Sequence, residues 1–322
     1  MSRLYGFLKY IYHLLPESLV SKNGINMILK KLNPDLSTRN LPRISDRKAI
    51  ILSKILPATQ EGIEIGALCW PMVTKEESGG KIYYVDFSTA EYLREKYKND
   101  PNVNISDIVD TDYLWGEQTL PELVNGKLFD YVVASHVIEH VPNMLGWLRE
   151  IALVLKDNGI LALAIPDKRF TFDYKRDLTS LGTLVESYLM DKRRPGIKDI
   201  FDQVSLATKV NALDAWNKKI DSENLEHHGT IQQALEQAKK YLSSEEYEDV
   251  HVNILTPLSF LKILEQACQL DLVDFVIAEF SDTTYGSHEF FVSLQRVPRS
   301  INKEEKSTLQ AKNFLTYLNK IS

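Results

Sequence analysis

Apolar positions along this chain follow two periods, and the change from one to the other marks its elements. Tyr131-Val132-Val133-Ala134 and Ile160 to Ile165 are continuous apolar runs with the length and β-branched character of strands buried on both faces. Between them Leu145, Leu148, Ile151, Ala152 and Leu155 recur at helical spacing. Pro142-Asn143 opens that helix, and Asn158-Gly159 suits a left-handed helix end. Strand, helix and strand at this length predict a βαβ unit with parallel strands. Polar residues crowd just past each strand: Ser135, His136, Glu139 and His140 after the first, Asp167 after the second. In open α/β sheets this carboxyl rim is where ligands bind.

The flanks extend the pattern. Arg47 to Leu56 reads as a helix ended by Pro57. Glu61 to Gly66 (EGIEIG) reads as a short strand entering a glycine turn, and Lys81 to Asp86 (KIYYVD) as a strand ending on a carboxylate. Thr89 to Tyr97 is a charged helix, Val103 to Asp107 a short third strand, and Leu120 to Gly126 a linker helix or loop. From Lys168 to Val250 no strand pattern is visible. Segments near 178–191, 200–220 and 231–241 read as helices, a helical insertion over the strand ends. Thr256-Pro257 caps and opens a helix that runs to about Leu270. Leu272–Phe280 and His288–Arg296 are expected to form a hairpin, and a charged helix ends the chain. The expected division is an N-terminal helical segment over 1–45, an α/β core over 46–170, an insertion over 171–250, the end of the core over 251–297, and a C-terminal helix over 298–322.

Composition narrows the partners. A net charge of −6 over 322 residues argues against nucleic acid. Two distant cysteines, Cys69 and Cys268, fit no metal spacing and suit reduced thiols in a cytoplasmic protein. No apolar run reaches the ~18 residues of a membrane span. Residues 1–20 read as an amphipathic helix rather than a signal peptide, because Lys9 and His13 interrupt the apolar stretch. That helix either packs on the main domain or docks on a partner or the inner membrane face.

The order strand-EIG, strand-Asp, strand-Asp, strand-SHVIEHV, strand-IPD and closing hairpin resembles the class I S-adenosylmethionine-dependent methyltransferases. The similarity covers about 46–170 and 252–297, and SHVIEHVPN is its most specific piece. EIGALCWPMV and IPDKRFTFDY are similar to a bacterial subgroup found with surface-polysaccharide genes. The resemblance implies an α/β fold: a Rossmann-like seven-stranded sheet, parallel with an antiparallel closing strand, binding S-adenosyl-L-methionine. It places Glu64 and Gly66 at the methionine part of the cofactor, Asp86 at the ribose hydroxyls and Asp107 beside the adenine amino group. Ser135 and His136 would line both cofactor and acceptor, and Ala67 and Phe87 adjoin these positions. The family's usual second glycine is replaced by Leu68.

Methyl transfer from a sulfonium is an in-line displacement that needs alignment and, for a hydroxyl acceptor, a base. His136 and His140 are candidates, since imidazole is poised near neutral pH; Asp167 competes. Glu139 and His140 suit a metal, but no third and fourth ligand accompanies them at convincing spacing, so no metal is expected. His251 stands near the acceptor or is structural. Lys168, Arg169, Lys175 and Arg176, with Arg193 and Arg194, either hold an anionic acceptor or form a solvated face offset by Asp173, Asp177 and Asp191. Tyr174, with Phe170 and Phe172, either stacks on a sugar ring or covers the core. A dinucleotide-dependent oxidoreductase would show G-x-G-x-x-G where Gly66 to Pro71 stand, and a P-loop enzyme G-K-[ST]; neither motif is present. The expected activity is O-methylation of a sugar or glycan-linked hydroxyl. The alternatives are another small-metabolite acceptor, or a non-catalytic scaffold of the same fold that docks an assembly.

Overall fold

The computed structural model describes residues 44–244 and 246–321. The helix expected over residues 1–20 lies outside them, as does nearly all of the segment 1–45. Arg43–Ser322 forms one compact unit. At its centre is a seven-stranded sheet of order β3-β2-β1-β4-β5-β7-β6. The strands are β1 (Gly62–Ile65), β2 (Ile82–Asp86), β3 (Tyr113–Leu114), β4 (Phe129–Ser135), β5 (Leu155–Pro166), β6 (Phe275–Ser281) and β7 (Glu289–Arg296). All neighbours up to β4–β5 are parallel; β7 runs antiparallel to both β5 and β6. The expected sheet, with its closing antiparallel strand, is present.

Alternation along the strands sorts side chains onto two faces. Ile63, Ile65, Val132, Ala134, Leu161 and Leu163 belong to one core. Tyr131, Val133, Ile160, Ala162 and Ala164 belong to the other. The first face is covered by α4 (Met144–Val154), α9 (Pro257–Gln269) and Phe314 of α10 (Lys303–Ile321). Ile51 of α1 (Ile44–Ile51) joins the second. A Cβ on Gly62 would lie 2.3 Å from the Tyr131 ring, so glycine at the start of β1 lets that ring lie across it. Among the described residues, no helix is long and apolar enough to cross a membrane.

Three boundaries differ from expectation. No strand forms over 103–107; Ile105–Asp107 is a 3-10 turn. Asn104 Oδ1 accepts from Ser106 N–H, and this local bond competes with extended backbone. The third strand lies further on, where Tyr113 and Leu114 pair with Val85 and Asp86. Helix α4 stops at Val154, short of Asn158-Gly159, because Leu155 is drawn into the ladder opposite Phe129. Asn158 still takes the left-handed conformation, with φ 63°.

The insertion contains α5 (Leu181–Leu189), α6 (Ile197–Leu206), α7 (Ala212–Trp216) and α8 (Ile231–Leu242). It is tied to the carboxyl rim. Trp216 stacks on Phe170 just past β5, with centroids 4.2 Å apart, and Thr208 N–H donates to Phe172 O. Phe170 thus covers the core here rather than presenting a free face.

Candidate active site

Register brings the strand-end residues into one row. Gly66 N–H donates to Val85 O, Trp115 N–H to Asp86 O, and His136 N–H to Ala164 O, each one step past a strand. Val109 N–H donates to Leu68 O, which lays the segment after Asp107 along the first turn. Gly66, Asp86 and His136 therefore share one rim, and the loop that carries Asp107 runs beside it. Asp107 itself is exposed and bonded to Asn104; with no strand beneath it, the position just past β3 belongs to Trp115.

The first turn is shaped by Glu64. Its buried carboxylate accepts from Met72 N–H at 2.7 Å and Val73 N–H at 3.0 Å. Burial nevertheless pushes the carboxyl up to about 7. Glu64 is thus bonded to the loop wall rather than presented to a ligand. Gly66 has φ +68°, and Ala67 is buried beneath it. Leu68 has φ 47°, so the backbone keeps a left-handed turn at the position where the family's second glycine is missing. A leucine there costs of order 1–3 kcal/mol of local strain.

Asp86 is half-buried at the end of β2. Burial pushes its carboxyl up to about 6, although Phe87 N–H donates to it at 2.8 Å. Phe87 is exposed, edge-on to Tyr92, with Lys96 Nζ 4.8 Å from its ring centre.

At the end of β4, His136 takes φ 56°, a conformation that bulky residues adopt at a cost. Its Nε2 lies 2.9 Å from Glu289 Oε2 on β7. Arg47 of α1 grips the same carboxylate through both oxygens, at 2.6 and 2.9 Å, and donates to Ser135 Oγ at 2.6 Å. Burial would raise Glu289, but the bonds and charges of His136 and Arg47 outweigh it and hold the carboxyl at about 2. An ionised Glu289 accepts, so Nε2 carries the proton and the Nδ1 lone pair remains available as a base. Neither Arg47 nor Glu289 was expected from the sequence. Their one signal is Glu289 itself, a charge set directly before the apolar run Phe290-Phe291-Val292.

The other expected site residues separate clearly. Asp167 is fully buried and spent: it accepts from Arg169 Nε at 3.0 Å and Thr283 Oγ1 at 2.8 Å, which corrects its candidacy as a base. Arg169 is committed to that pair. Arg176 is buried against Asp173, Gln203 and the His251 carbonyl, so it is structural and not an acceptor-binding group. Arg193 pairs with Glu150 and Asp191, and Arg194 donates to the Ser244 and Glu246 carbonyls. Lys168 and Tyr174 remain half-buried past β5; burial pulls the Lys168 amine down. His140 Nδ1 lies 2.8 Å from Asp249, and His251 Nδ1 lies 2.6 Å from Asp173. Replacing Arg176 by alanine leaves the buried Asp173 carboxylate with His251 as its remaining partner, so ~3–5 kcal/mol of stability should be lost in urea unfolding. An Arg176→Ala protein of native stability but raised acceptor KM would restore the acceptor-binding role.

Residues 65–267, well over half the chain, match the model of a methyltransferase domain family. The chain belongs to that family. It is an S-adenosylmethionine-dependent methyltransferase, and the row Gly66, Asp86, His136 lies at the carboxyl edge of its sheet, where open α/β folds bind ligands. No curated protein matches the methyltransferase chain. Among solved structures, it is similar to the CcbJ methyltransferase from Streptomyces caelestis, at 13% identity and TM-score 0.40, over 80% of this chain and 91% of that one. It is also similar to the N-methyltransferase NodS from Bradyrhizobium japonicum WM9, in complex with S-adenosyl-L-homocysteine, at 9% identity and TM-score 0.32, over 80% of this chain and 89% of that one. The magnesium protoporphyrin IX methyltransferase ChlM from Synechocystis PCC 6803 stands at 11% and 0.32, over 87% of this methyltransferase and 100% of that chain. Likenesses this distant transfer no acceptor.

Proposed function

We propose that this methyltransferase carries the methyl group to a hydroxyl oxygen of a sugar or glycan-linked acceptor, with His136 as the base. The acceptor oxygen attacks the methyl carbon in line, the carbon–sulfur bond breaks, and its electron pair returns to sulfur. The hydroxyl proton goes to His136 Nδ1, and Glu289 stabilises the resulting imidazolium. The observation that carries this reading is the part-buried Arg47–Glu289 pair behind a half-exposed His136. A neutral amine attacks without first losing a proton, whereas a hydroxyl gains from a positioned base.

Supporting the sugar class, half-buried Lys168 and Tyr174 follow directly after β5, at the start of the helical insertion. The similarity of EIGALCWPMV and IPDKRFTFDY to methyltransferases found with surface-polysaccharide genes points the same way. Cys69 and Cys268, both free and buried, suit a cytoplasmic enzyme, and residues 1–20 would hold it at the inner membrane face.

The test is transfer of label from tritiated S-adenosylmethionine to nucleotide sugars, glycan acceptors, amines and quinone-like phenols. Label on a sugar hydroxyl is the expected result. Label confined to amines or carbon would sink the hydroxyl assignment, and label confined to phenols would replace the sugar class.

A further inference from the structure

Beside His136 lies a second constellation that the methyl-transfer chemistry above leaves unused. Glu139 sits on the 3-10 turn Ile138–His140 and is completely buried, yet neither carboxylate oxygen has a hydrogen-bond partner. The turn is locked from behind. Val252 and Asn253 N–H both donate to Glu139 O, and Asn253 Nδ2 bonds the Ile138 and Val141 carbonyls. Locking the backbone fixes where the carboxylate points, so its isolation is built in. A buried carboxylate without donors costs several kcal/mol in a folded protein unless a cation compensates it.

The groups around it are those of a metal cage. One donor atom each of Glu139, His140 and His251 lie within 4.8 Å of one another. His140 Nε2 is 3.9 Å from Glu139 Oε1, and the His140 and His251 rings stand perpendicular with centroids 4.7 Å apart. His251 Nδ1 is held by Asp173 at 2.6 Å, and Asp249 stands 2.8 Å from His140 Nδ1 at ion-pair distance, outside hydrogen-bond geometry. An outer carboxylate of this kind orients a metal-binding histidine and raises its basicity. Bonds of ~2.0–2.2 Å put tetrahedral ligand atoms about 3.3–3.5 Å apart, so these side chains need to close by up to about 1.5 Å.

We infer that Glu139, His140 and His251 bind one divalent first-row transition-metal ion. Two imidazoles and one carboxylate favour Zn2+ or Mn2+ over Mg2+ or Ca2+, which take oxygen ligands. Three protein ligands leave positions open, and His136 Nδ1 stands 3.6 Å from Glu139 Oε1, at the mouth of the cage. Resting on the hydroxyl reading above, an acceptor oxygen in the open position would lie beside the base. The ion would favour loss of its proton to His136, with no change in the metal's oxidation state. The sequence spacing hid this site because its third ligand arrives from beyond the insertion.

The test uses the full chain stripped with a chelator and titrated calorimetrically with ZnCl2 and MnCl2. One ion per chain is expected. Glu139→Gln and His251→Ala should weaken binding at least ~100-fold, and Asp249→Asn, on a part-exposed partner, about 10–100-fold with an unchanged circular dichroism spectrum. With Co2+, the wild type should show visible d–d absorption that Glu139→Gln lacks. A wild type that binds no stoichiometric ion, or folded variants that bind as tightly as the wild type, would overturn the inference. The two readings fail separately. Binding of one ion by an enzyme that methylates no hydroxyl keeps the site and removes the acceptor; hydroxyl methylation by an enzyme that binds no stoichiometric ion does the reverse.

Discussion

His136→Gln is expected to lower kcat by about 10²–10⁴-fold, the span removed with a general base, while S-adenosylhomocysteine still binds. In the proposed mechanism the imidazole takes the acceptor proton, whereas the cofactor would be held at the ends of β1 and β2. Glu289→Gln should cost less: an amide oxygen still accepts from Nε2–H, but the negative charge that stabilises the imidazolium is gone. Acceptor KM should move little in either variant. Initial rates at saturating cofactor, with calorimetry for the homocysteine product, separate these effects. If His136→Gln keeps wild-type kcat, the base lies elsewhere and the Arg47–Glu289 pair is structural. Glu289 stays ionised throughout any practical assay, because its carboxyl is held at about 2.

Asp86→Ala should weaken cofactor binding by ~1–3 kcal/mol, about 5- to 150-fold, because ribose hydroxyls buried at the end of β2 lose their acceptor. The same carboxylate gives binding a pH dependence whose sign follows from its raised value. Burial holds Asp86 at about 6, so it is mainly ionised at pH 7.5 and, in the proposed site, would accept from both hydroxyls. As pH falls through about 6 it protonates, one acceptor becomes a donor, and affinity for S-adenosylhomocysteine falls. Asp86→Asn should bind weakly with a flat profile over pH 5–7.5, which separates this carboxylate from nearby histidines. Undiminished affinity in Asp86→Ala would remove the assignment of the cofactor rim.

Leu68 shows how a motif departure and its structure can diverge. A leucine replaces the expected glycine, yet the backbone adopts φ 47° there. Val109 N–H holds the Leu68 carbonyl, and the side chain packs beside Cys69, Leu93 and Ile108. The turn is imposed by its surroundings at some strain, so the departure gives a non-catalytic scaffold no support.

The sequence alone determined the elements and the rim. Apolar runs around Val132 and Leu163, the helix of Leu148 and Ile151, and the turn residues between them depend on neighbours a few positions away, and that short range is legible. So is the location of His136, since a parallel strand must deliver its next residues to the carboxyl edge. Where local bonding rivalled the pattern, at Asn104 to Asp107, the expected strand failed. Only tertiary structure decided which charges are free. Asp167 and Arg176 looked available and are spent on partners; Arg47 and Glu289 looked incidental and bond at His136; His251 is brought beside Glu139 and His140. These outcomes rest on contacts between remote segments and on which carboxylates are desolvated together, and no local spacing along the chain encodes either.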